Sequence, residues 1–229
     1  MNDLSERHQC VALDLPGFGD SDKPGDAWYS IARYTQLVAQ FAGQAGIQSP
    51  VVVGHSMGGM IALALAAEEI LPVRRLIAIN PVVTGQTYFD LRLLANPRWS
   101  KPMVRLGRWF WPIASGDWAG PWLGVERAAH VRRQYEEWGQ STAISLMAAA
   151  RAIGQCDLTA ALPRITTPSL IVLGNRDMTA PNAEGRLAAR LIPNARLTVL
   201  PSGHLPTDDL PDQTAAVVGS FLSEEKAPA

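Results

Sequence analysis

Cysteine is scarce in this chain: Cys10 and Cys156 are the two in 229 residues. Neither belongs to a C-x-x-C pair, and no Cys/His cluster has metal-ligand spacing. A zinc site and a disulfide framework are therefore excluded as the organising device. The two thiols read as buried or semi-buried single residues in a reducing compartment, with one disulfide between them as the alternative. Charge of one sign is also missing. The formal net charge is -1, so no basic field points to nucleic acid or to anionic lipid. Long apolar runs are absent: none reaches the ~18–20 residues that span a bilayer. The first eight residues are polar and carry no apolar signal region, so a soluble, cytoplasmic protein is expected. Nothing in the pattern asks for a cofactor or a metal.

What is present is apolar content of 47%, enough for one sizeable core with room for an inserted subdomain. Short apolar runs alternate with helical spacing. Gln9–Asp14 reads as a short buried strand, followed by a Gly/Pro/Asp loop to Gly25. Ile31 to Gly46 has helical spacing with Tyr34, Leu37, Val38 and Phe41 on one face. Val51–Val53, Arg75–Pro81, Ser169–Leu173 and Arg196–Leu200 read as strands. Helices are expected after Gly58 to about Leu71, over Asn182–Leu191 and over Asp212–Leu222. Continuous apolar strands alternating with helices predict an α/β fold, a mostly parallel sheet covered on both faces. Between about Val83 and Pro163 the composition shifts. Six of the seven tryptophans fall there, as Trp99, Trp109, Trp111, Trp118, Trp122 and Trp138. Residues 1–82 and 164–229 are expected to form the core, and 83–163 an inserted helical cap.

Parallel sheets carry their sites at the carboxyl ends of the strands. Gly54-His55-Ser56-Met57-Gly58 is a G-x-S-x-G sequence between an apolar strand and a helix, a context that puts Ser56 on a sharp elbow. The glycines Gly54 and Gly58 are expected to let backbones pass closely. A serine nucleophile needs a base within hydrogen-bond reach, and the chain has four histidines. His8 precedes the first strand and reads as surface. His55 adjoins Ser56, and neighbouring side chains diverge at an elbow. His130 lies among arginines in the insert. His204 directly follows the last strand and is the candidate base. Asp177, after the strand before it, is the candidate acid that orients the base. Asp208 and Asp209 lie too near His204 to be favoured, and the segment after Arg75–Ile79 offers Asn80-Pro81 rather than a carboxylate.

These positions and their order resemble the α/β-hydrolase fold family over nearly the whole chain. Asp14-Leu15-Pro16-Gly17-Phe18-Gly19-Asp20-Ser21 resembles the family's D-x-x-G-x-G-x-S loop. Gly54–Gly58 matches the elbow, Gly174–Asp177 the acid loop, Gly203-His204 the base loop, and the tryptophan-rich insert the cap. The resemblance implies a Ser56–His204–Asp177 triad, the Met57 amide as one oxyanion donor, and Phe18 as a pocket-lining residue by analogy. It also implies a small-molecule ester or acyl substrate, partly apolar. A serine at the elbow disfavours dehalogenases and epoxide hydrolases, which the family builds on an aspartate.

The departure from the family is at the start. Members have strands before the D-x-x-G-x-G-x-S segment, one ending in a His-Gly loop that supplies a second oxyanion amide. Such a loss is worth on the order of 10²–10³ in turnover and would leave a gap inside the sheet. Three explanations are expected: the chain is a fragment or has a late start, the flanking strands close up or another element fills the gap, or a second copy donates a strand in a homo-oligomer. Two functional alternatives follow: an impaired or ligand-binding relative, and an acyltransferase or perhydrolase on the same triad.

Overall fold

A computed structural model describes residues 2–85 and 140–224, together with 98 and 102. The elements used below are α1 (Ile31–Gln44), β1 (Val51–His55), α2 (Met57–Glu68), β2 (Arg75–Ile79), α3 (Ala143–Gly154), β3 (Ser169–Gly174), α4 (Asn182–Leu191), β4 (Ala195–Leu200) and α5 (Pro211–Ser223). The chain divides into two units. One comprises Met1–Ala12, Thr35–Thr84 and Cys156–Ala229, the other Leu13–Tyr34 and Gly85–Gln155.

The first unit contains a four-stranded sheet in the order β1-β2-β3-β4. All three pairings are parallel. β2 and β3 are central, and β3 is buried at every residue, which is why both read as unbroken apolar runs. Successive side chains leave opposite faces of a strand. Ile77, Ile79, Leu170, Val172 and Leu200 pack with Val218 and Phe221 of α5 on one face. On the other, Leu173 is pressed against Gly185 of α4. Helices therefore cover both faces, as an α/β fold requires. α2 follows β1 directly and is buried from Gly59 through Ala67, consistent with its being apolar all round. Buried Glu184 of α4 accepts the Val83 and Thr84 amides at 2.9 and 2.8 Å, pinning the segment that leaves β2.

The second unit is tied locally. Trp28, Tyr29 and Tyr34 meet edge to face, and the Tyr34 hydroxyl donates to the Pro16 carbonyl at 2.8 Å. Asp20 and Ser21 bond back to Asp14, so the D-x-x-G-x-G-x-S loop closes on itself. α3 opens with a capping box in which Thr142 and Ser145 exchange side-chain and backbone bonds, satisfying amides the helix cannot. The six tryptophans of the insert, and His130, lie outside the described residues.

One expectation is corrected. Gln9–Asp14 is not a strand, and Val11 is 52% exposed. Apolar residues become a strand only when a neighbour accepts their backbone bonds. Among the described residues no strand pairs with this segment, and β1 stands at the edge of the sheet. Both cysteines are free and half-buried. Among the described residues no helix is long and apolar enough to cross a membrane.

Candidate active site

Each strand hands one candidate residue to the same edge of the sheet. Ser56 follows β1, Asn80 follows β2, Asp177 lies three residues past β3, and His204 four past β4. Ser56 has φ 54 and ψ -116, a left-handed conformation that a non-glycine residue adopts at some energetic cost. The strain is held by its surroundings. The Ser56 amide donates to the Ile79 carbonyl at 3.0 Å, and the Ser56 carbonyl accepts from Met60 at 3.1 Å. Gly54 is obligatory because a Cβ there would lie 2.1 Å from the Gly58 carbonyl oxygen. The matching expectation for Gly58 fails, since an added Cβ there meets nothing within 4 Å. Gly59 takes its place, its added Cβ lying 3.0 Å from Pro81. Met57 is the first residue of α2, so its N–H has no partner within the helix and stands at the positive end of the dipole.

His204 and Asp177 are joined. His204 Nδ1 lies 2.7 Å from Asp177 Oδ2, and the Asp177 side chain is fully shielded while His204 keeps 17% exposure. A carboxylate only accepts, so Nδ1 carries a proton, and in the neutral ring the lone pair lies on Nε2. Burial pushes the Asp177 carboxyl up, but hydrogen bonds from His204, Ala180 and Thr179 outweigh it and hold it below its ordinary value. The Thr179 and Ala180 amides reach Oδ1 at 2.7 and 2.9 Å, leaving Oδ2 for the imidazole. The acid and base loops are also bonded to each other. Asn175 and Arg176 donate to the Leu200 and Ser202 carbonyls, both at 2.9 Å. Gly174 permits this, because a Cβ there would sit 2.0 Å from the Gly203 carbonyl oxygen.

The elbow reaches the base loop through His55, whose Nε2 lies 2.7 Å from the His204 carbonyl oxygen. His55 does not serve as a base. Burial, and then the neighbouring His204, push its pKa down to about 4, so it stays neutral where a base would titrate. Asn80 is not a carboxylate but has a structural role. It is almost fully buried, and its side chain accepts from the Gly174 amide at 2.8 Å and donates into the Gly203-His204 turn. A buried amide after a central strand was the available signal. Phe18 lies half-buried in the loop of the second unit, its amide bonded to Leu15.

This frame of strand-end residues has relatives. A 2-hydroxymuconate semialdehyde hydrolase of Pseudomonas putida is 29% identical over 233 residues, covering 97% of this chain and 80% of its own. A hydrolase from Pseudomonas aeruginosa PA01 superposes with a TM-score of 0.81 at 25% identity, covering 97% of this chain and 83% of that one. The enol-lactonase of Burkholderia xenovorans LB400 shares the fold, with a TM-score of 0.73 at 24% identity over 92% of this chain and 79% of its own. The alpha/beta hydrolase family model matches residues 1–217, which span the elbow, the acid loop and the base loop, and the chain belongs to that family.

Proposed function

We propose that the chain is a serine hydrolase that cleaves an ester or related acyl bond of a small, partly apolar substrate. The observation that carries this reading is the 2.7 Å bond between His204 Nδ1 and the shielded Asp177 carboxylate, in a loop bonded to the residue beside Ser56. With Nδ1–H committed to Asp177, His204 Nε2 takes the Ser56 proton as Oγ attacks the substrate carbonyl. The Met57 amide faces the developing oxyanion. Collapse of the tetrahedral species breaks the bond to the leaving group, which receives the proton from His204. Water, deprotonated by the same imidazole, then attacks the acyl-enzyme and returns Ser56 and the acid product. The tryptophan-rich composition of the 83–163 segment suits a substrate with an apolar part.

A fluorophosphonate probe tests the reading. Labelling of the wild-type chain and none of Ser56→Ala is expected, together with turnover of short p-nitrophenyl esters. A folded wild-type protein that takes no label would overturn it. Similarity to a 2-hydroxymuconate semialdehyde hydrolase favours a second reading, hydrolysis of a compound of that class on the same triad. Turnover of 2-hydroxymuconate semialdehyde with no turnover of esters would select it.

A further inference from the structure

We propose that His55 and Asn80 form a two-donor clamp on the main-chain carbonyl of His204, and that this clamp orients the imidazole for proton transfer. The inference rests on the reading of His204 as the base. Two side chains from the ends of two different strands converge on one oxygen. His55 Nε2 lies 2.7 Å from the His204 carbonyl oxygen, and Asn80 Nδ2 lies 2.9 Å from it. The same Asn80 nitrogen reaches the Gly203 carbonyl at 3.2 Å. A carbonyl accepts and does not donate, so His55 carries its proton on Nε2. The rings of His55 and His204 are tilted at 58° with centroids 4.6 Å apart.

The clamp is itself fixed. Asn80 has φ 41, a region that asparagine tolerates better than most residues. Its amide donates to the Val172 carbonyl at 2.8 Å, and its Oδ1 accepts from the Gly174 amide at 2.8 Å. One buried side chain thus spans β2, β3 and the base loop. On the far side, the Gly203 amide donates to Asp209 Oδ2 at 2.6 Å. Asp177 holds the ring of His204 at Nδ1, and the clamp holds its backbone. A ring bonded at one atom can still pivot about that bond, whereas a ring whose backbone is also fixed presents Nε2 in one direction. Misplacement of a catalytic group by about 1 Å costs on the order of 10²-fold in rate.

The test uses substitutions that keep shape and change donors. Glutamine places an amide nitrogen near the position of histidine Nε2, and leucine does not. His55→Leu is expected to lower kcat about tenfold with KM within about threefold, and His55→Gln to restore most of it, because one charge-neutral hydrogen bond is worth about that factor. Asn80→Asp keeps the shape but turns a donor toward two carbonyls into an acceptor. Its kcat is expected to fall further, on the order of 10²-fold. The second readout needs no turnover. The low-field proton resonance of His204 Nδ1–H, assigned by its loss in His204→Gln, should persist in His55→Gln and broaden in His55→Leu and Asn80→Asp. Equal impairment of His55→Leu and His55→Gln would overturn the clamp, as would an unchanged resonance in all three variants. Absence of probe labelling in the wild type would instead strike the hydrolase reading, and the resonance would still decide the clamp.

Discussion

The two flanks of Ser56 are built differently. Toward β2, β3 and β4, the backbone ladder runs on past the strands: Ser56 to Ile79, Asn80 to Val172, and Asn175 to Leu200, at 3.0, 2.8 and 2.9 Å. The turns that carry Ser56, Asn80 and Asp177 are thereby each bonded to the next strand. On the opposite flank β1 ends the sheet among the described residues. In the proposed reaction, proton transfer would draw on His204, Asp177 and the loops that bond them. In the proposed reaction, an oxyanion would be met by the Met57 amide at the start of α2, next to β1, the strand that ends the sheet among the described residues.

The largest expected effect is on the cross-tied flank. In Asp177→Asn the side-chain oxygen can keep the Thr179 and Ala180 amides, which places an NH₂ group against His204 Nδ1. The imidazole must then carry its proton on Nε2 and cannot accept one from Ser56. A loss of ~10⁴-fold in kcat is expected, measured with a short-chain ester alongside the rate of fluorophosphonate labelling. A loss smaller than tenfold would mean that the bond between Asp177 and His204 does not set the tautomer.

The next effect is on stability and comes from His55. Its pKa in the folded chain is about 4, against an ordinary 6.5. As pH falls below 6.5 the unfolded chain takes up this proton and the folded chain refuses it. The stabilisation is therefore fully present above about pH 6.5 and is lost as pH drops toward 4, by on the order of 3 kcal/mol. Urea unfolding of the wild type at pH 7.5 and 4.5 should show this loss, and His55→Gln should show less of it. Working above pH 4.5 keeps Asp177 out of the comparison, because its depressed pKa acts in the same direction but below its ordinary carboxylate range. Equal losses in the two proteins would sink the assignment.

Much of this flank was legible in the sequence. β2 and β3 are written as apolar runs because both faces are covered, and α4 spans the Asn182–Leu191 segment that the sequence predicts as a helix. Ser56, Asp177 and His204 follow their strands, where a parallel sheet puts its functional groups. The roles of His55 and Asn80 were not legible. Asn80 meets the carbonyls of residues 123 and 124 positions away, a juxtaposition made by strand order and not by local pattern. Gln9–Asp14 misled for a related reason: its composition suits a strand, but a strand is a property of two segments. The choice of Gly59 over Gly58 as the glycine facing Pro81 depends on where one turn of α2 happens to point.

The open side of β1 can be probed by stability alone. Val53 and Ile77 are paired partners on adjacent strands, so their side chains leave the sheet on the same face. Ile77 is 0% exposed and Val53 is 52% exposed. Ile77 packs with Val218 and Phe221, and Ile77→Ala should cost about 2–5 kcal/mol. Val53→Thr exchanges a methyl for a hydroxyl of similar size at a position that water reaches, and should cost less than about 0.5 kcal/mol. Urea midpoints of the two variants, measured side by side, check both numbers. A cost of about 2 kcal/mol at Val53 would break the contrast, because it would mean that β1 is covered in solution. Repeating the measurement over a hundredfold range of protein concentration would then name the cover. A midpoint that rises with concentration points to a second copy of the chain lying along β1, and a constant midpoint points to a segment of the same chain.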